Sequence, residues 1–164
     1  MTKMPTAEQV LKAIQTVCTK DKIDLPGSLM DDVKSNNKGA CVSFGGDLLA
    51  ELIGEDEPPS SYKNDLDPGP ETKDGSFFYY MATASNRDYN HCFCVYFWNN
   101  TAILIQVYLE KNVEVLRRLT PVNFQNSIVK LRTGNAVEAY SELFNVVIEP
   151  CTITQIYTAV ILDK

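Results

Sequence analysis

The sequence predicts an α+β domain in which N-terminal helices pack on an antiparallel β-sheet. Apolar residues recur at helical spacing over residues 10–18 and again over 44–53. Two runs rich in Val, Ile, Phe and Tyr, residues 91–98 and 101–109, flank Asn99-Asn100, a pair that tolerates the positive φ of a two-residue hairpin turn. With 164 residues, 45% hydrophobic and 22% charged, the chain is long enough and apolar enough for one core, and 1–164 reads as a single domain.

In chain order, Thr6 with Gln9 three residues on has the form of a capping box, and Val10, Leu11, Ile14, Val17 and Cys18 then mark one helix face. Pro26 opens a second short helix carrying Leu29, Met30 and Val33. Residues 35–40 form a polar loop. From Cys41 onward Phe44, Leu48 and Leu52 repeat every fourth residue, with Leu49 and Ile53 beside them, which predicts an amphipathic helix. Residues 55–75 carry seven acidic residues against two basic, together with Pro58, Pro59, Pro68 and Pro70, and read as a flexible acidic surface loop. A strand over Phe77–Ala82, the hairpin, helices near Pro121–Leu131 and Ala136–Phe144, and a closing strand over Ile156–Leu162 complete the expected order.

Composition narrows the function classes. A formal charge of −6 and a pI near 4.8, with no basic cluster beyond the Arg117–Arg118 pair, argue against nucleic acid and anionic membranes as partners. Cys18, Cys41, Cys92, Cys94 and Cys151 are odd in number, which suits a reducing compartment better than a disulfide scaffold. With no C-x-x-C pair and one histidine, neither a metal site nor another cofactor is expected. The N-terminus lacks an apolar signal region, and the longest apolar run is too short to span a bilayer. A soluble protein is expected, cytoplasmic or exported as an effector into a target cell without a Sec signal.

His91 is the chain's one side chain whose ordinary pKa suits proton transfer near neutrality. With Asn99-Asn100 as the turn, Trp98 faces Thr101, Val95 faces Leu104, Phe93 faces Gln106 and His91 faces Tyr108. His91 and Gln106 become diagonal neighbours, roughly 5–8 Å apart at Cβ. Gln106 is a polar amide inside Ile-Leu-Ile-Gln-Val-Tyr-Leu, and a buried amide needs a partner. Accepting a hydrogen bond from one ring nitrogen, its side-chain oxygen would fix the imidazole tautomer and leave the other nitrogen free to act. Asp47 is the alternative partner for that ring. A thiol at a helix start, as Cys41 is expected to be, feels the positive end of the helix dipole and shifts toward thiolate. Free N–H groups at that helix start, with Asn36 or Asn37 just upstream, can form an oxyanion or substrate-binding site. Taken singly, a free cysteine is more often a small buried hydrophobe; the joint pattern points to chemistry.

Gly39-Ala40-Cys41-Val42-Ser43-Phe44 at a helix head, His91 at the start of a strand, and Gln106 on the next strand resemble, in that order, the site of papain-like cysteine hydrolases. A Cys-His-Gln set is similar to bacterial effector deamidases of the cycle-inhibiting-factor type. The resemblance covers about residues 35–110. It implies a papain-like fold, with Cys41 as nucleophile, His91 as general base and acid, and Gln106 orienting the ring. The implied activity is hydrolysis of an amide, by a toxin or effector deamidase, a peptidase or a peptidoglycan amidase, or transfer of the acyl group to an amine. The substrate would be a protein or peptide, with a cognate immunity protein or host target as partner. Val42 departs from the aromatic residue usual after the nucleophile, and Gly45-Gly46 interrupt the helix pattern. A different class fits the charge alone: an acidic, non-catalytic immunity or adaptor protein that binds a basic partner.

Overall fold

A computed structural model of the protein describes residues 5–21, 25–31, 41–53, 63–64, 74–84, 89–107, 115–132, 138–139, 142–143 and 153–162. The fold is α+β. Helix α1 (Ala7–Asp21) opens with the expected capping box: Thr6 N donates to Gln9 Oε1 at 2.8 Å, and Gln9 N to Thr6 Oγ1 at 3.2 Å. The residues after Pro26 do not form the expected helix as far as Asp31; they form a turn. The Asp31 carboxylate accepts the Gly27 and Ser28 N–H groups and the Ser28 hydroxyl, which folds the segment back on itself. Val33 lies outside the described residues.

Helix α2 (Cys41–Ile53) starts at Cys41 and runs unbroken through Gly45-Gly46, although each glycine costs about 1 kcal/mol relative to alanine in a helix interior. Strands β1 (Lys63–Asn64), β2 (Phe77–Ala84), β3 (Tyr89–Trp98), β4 (Thr101–Ile105), β5 (Leu116–Leu119) and β6 (Ile153–Leu162) form one antiparallel sheet in the order β1-β6-β2-β3-β4-β5. Helix α3 (Pro121–Arg132) follows β5, with Thr120 capping it through Asn123 N at 3.1 Å. Of the next expected helix, residues 138–139 and 142–143 are described, and they are helical.

The expected acidic loop holds one strand, because Lys63 and Asn64 pair with Thr158 and Tyr157 of β6; Asp74 and Gly75 form a turn, and the rest of 55–75 lies outside the described residues. The hairpin turn is as expected: Asn99 and Asn100 have φ of 52° and 54°, and Trp98 pairs with Thr101 and Val95 with Leu104. The Asp74 carboxylate accepts the N–H groups of Asn99 and Asn100, at 3.0 and 3.4 Å, and so holds the turn from outside.

Side-chain alternation gives the sheet two apolar faces, each covered by helix. Phe77, Tyr79, Cys92, Cys94, Tyr96, Ile103 and Ile105 join Val10, Ile14, Val17 and Cys18 of α1 and Phe44, Leu48 and Leu49 of α2 in one cluster. On the other face Phe78, Tyr80, Phe93 and Phe97 form a ring stack: Tyr80 lies 5.2 Å from Phe93, and Phe124 of α3 sits 6.0 Å from Tyr80 and 5.9 Å from Phe97.

Candidate functional site

Cys41 is the first residue of α2, at the end where free N–H groups and the helix dipole favour an anion. Its side chain, like that of His91, is outside what the structure describes, and Asn36, Asn37 and Tyr108 lie outside the described residues altogether. His91 is the third residue of β3, with its backbone opposite Ala82 of β2. Gln106 follows the last residue of β4 and is 1% exposed. Asp47, the alternative partner for the ring, is bound elsewhere: Lys20 Nζ of α1 lies 3.3 Å from its carboxylate.

Helix α2 meets the sheet at Gly45, one turn after Cys41. A Cβ built there would lie 2.9 Å from a ring carbon of Tyr79 and 3.7 Å from Cβ of Cys92, and Cys94 Sγ donates to the Gly45 carbonyl at 3.8 Å. Since four helical residues advance about 6 Å and adjacent Cα atoms lie about 3.8 Å apart, these contacts bound the Cα separation of Cys41 and His91 at about 17 Å.

The β3–β4 ladder runs from Trp98–Thr101 to Cys94–Ile105 and ends there. Gln106 N donates to Val115 O at 3.0 Å, which carries the Ile105–Leu116 register one residue further toward β5. Gln106 therefore stands one step beyond Cys94–Ile105, level with Phe93 as expected and two residues along β3 from His91. Tyr89–Phe93 pairs with Ala84–Tyr80 of β2, and residues 108–110, which the register would bring opposite Tyr89–His91, lie outside the described residues. His91 has the register parity of Phe93 and Phe97, whereas α2 lies against Cys92 and Cys94. Burial, and secondarily the charge of Cys92, push the Cys94 thiol well up, so it is no nucleophile.

A second polar feature had no clear signal in the sequence. Arg117 and Leu119 of β5, Asn123, Asn126, Ser127 and Lys130 of α3, and Glu142 line a cavity of about 370 Å³. Arg117–Arg118 is its trace in the chain, legible only as a charged pair. Its charges are already engaged: Lys130 Nζ reaches Glu142 at 2.9 Å and Glu138 at 3.2 Å, and Arg117 Nη2 donates to Glu142 O at 3.2 Å. Among the described residues no three His, Cys, Asp or Glu gather to hold a metal, and no helix is long and apolar enough to cross a membrane. Comparison with protein-family models, curated proteins and solved structures returned no match.

Proposed function

We propose that the chain is a papain-like, thiol-dependent hydrolase of amides, with a protein or peptide as substrate and a glutamine side chain, as in effector deamidases, as the favoured target. One observation carries the reading: a helix that begins at Cys41 lies, one turn later, on strand β3 beside the neighbour of His91, with the buried amide of Gln106 just past the facing strand. The stretch Tyr89–Phe93 of β3, just past the described β3–β4 register, is where a thiol arriving from the α2 side and the ring of His91 would meet.

In that arrangement His91 takes the Cys41 proton, and the thiolate attacks the amide carbonyl to form an S–C bond. N–H groups at the start of α2 stabilise the oxyanion. His91 then gives its proton to the departing nitrogen as the C–N bond breaks, leaving a thioester. Water, deprotonated by His91, cleaves the thioester, releasing a carboxylate and restoring the thiol. Gln106 acts throughout by holding the ring.

Alkylation of Cys41 at about pH 6, where an ordinary thiol with pKa near 8.5 is almost wholly protonated, tests the nucleophile directly. Cys41 should react well above a model thiol, and His91→Ala should abolish the excess. Intact-mass screening of candidate target proteins then reads conversion of an amide to an acid, or cleavage. Model-thiol behaviour at Cys41, or unchanged activity in Cys41→Ala, would return the chain to the acidic binding-protein reading, for which the charge of −6 is the support.

A further inference from the structure

We infer that Gly45 is a positioning residue for Cys41: its missing side chain lets α2 lie close against β2 and β3, and that approach sets where the thiol stands. The inference rests on the hydrolase reading above. A methyl group at Gly45 would stand 2.9 Å from a ring carbon of Tyr79, closer than carbon atoms tolerate. Tyr79 is 1% exposed within the α1–α2 cluster, on a strand held between β3 and β6, so the ring has no free space into which to swing. The Gly45 carbonyl, which accepts from Cys94 Sγ, is held against the same strand. The helix is therefore the part that yields, and Cys41 sits one turn from the point of contact. Displacement of a reacting group by a fraction of an ångström to about 1 Å costs up to about a hundredfold in rate. Helix propensity works against glycine here, so a contact that forbids a side chain accounts for its presence.

The test follows Cys41 alkylation by iodoacetamide with peptide mass mapping from about pH 5 to 9, in the full chain, for the wild type, Gly45→Ala and Gly45→Ala/Tyr79→Leu. The expected result is acid-range reactivity in the wild type, a tenfold or greater loss in Gly45→Ala confined to the acid end, and recovery in the double variant, where the obstructing ring is gone. A role in folding alone would not shift the pH profile of one thiol. Wild-type acid reactivity retained in Gly45→Ala overturns this inference and leaves the hydrolase reading standing. An ordinary thiol profile in the wild type overturns the hydrolase reading, and this inference with it. Should Gly45→Ala fail to fold, the double variant decides: a wild-type profile supports the inference, and a folded protein without acid reactivity overturns it.

Discussion

Tyr96 ties the entry of α1 to the middle of β3, and removing its hydroxyl has a consequence that depends on pH. The ring is buried, and Oη donates to Pro5 O at 2.8 Å across 91 positions of sequence. Tyr96→Phe deletes the donor and strands a carbonyl at buried Pro5, a loss of about 1–3 kcal/mol. In a chain of this length each kcal/mol moves the melting temperature by about 2–4 °C, so a fall of about 6 °C is expected near neutrality. Burial, with the charge of Asp74 second, raises the Tyr96 hydroxyl from 10.0 to about 12. The native state thus keeps a proton that the unfolded chain releases from about pH 10 upward. The corresponding stability is complete below the unfolded value and lost as pH climbs toward 12. Phenylalanine has nothing to ionise, so the gap between the two proteins should narrow over that window, while the other tyrosines titrate alike in both and cancel. Urea melts of the pair at neutral pH and at steps from about pH 9 to 12 measure it. An unchanged midpoint in Tyr96→Phe at neutrality, or a gap that stays constant across the alkaline series, would refute the reasoning.

On the other face of the sheet, Phe124→Ala empties the centre of the ring stack and should cost about 3–5 kcal/mol in chemical denaturation; a cost below about 1 kcal/mol would mean the stack is not the core of that layer. Cys18, Cys92 and Cys94 are buried and should resist iodoacetamide until the chain is unfolded by guanidinium; native labelling of Cys94 at a model-thiol rate would contradict its placement. Hydrogen bonding from Lys130 holds the Glu142 carboxyl below its ordinary value, so this pair stabilises above the carboxylate range and its contribution fades as pH falls through it. Lys130→Met should flatten that acid limb at low salt, and high salt should erase the difference between the two proteins in thermal melts. Asn100, with φ of 54°, should accept glycine with a gain of a few tenths to about 1 kcal/mol, and a loss on Asn100→Gly would argue that its side chain serves the turn.

The elements most legible in the chain were those whose cause is local. Thr6 and Gln9 state their own cap, Asn99-Asn100 their own turn, and the fourfold repeat from Phe44 to Leu52 its own helix. Of the strands formed by distant pairing, β2 and β6 showed in their apolar runs, whereas β1 and β5 left no such mark. Leu116–Leu119 becomes β5 because β4 offers it an edge, although Leu-Arg-Arg-Leu has neither alternation nor β-branched content. Pro26 announced a helix, but the Asp31 carboxylate competed for the same N–H groups and closed a turn instead. For the candidate site, the helix start at Cys41 and the hairpin register down to Cys94 were readable. The bond from Gln106 N to Val115 O was not, since it depends on a residue nine positions further along.

The chain's single tryptophan, Trp98, packs half-buried against the cluster shared with α1 and α2, whereas the stacked rings of Tyr80, Phe93 and Phe124 occupy the opposite layer. Indole fluorescence therefore watches one side of the partition, and near-ultraviolet dichroism from tyrosine draws on both. Superimposed melting curves from the two signals would show that the molecule comes apart as one cooperative unit; separated curves would reveal which layer lets go first.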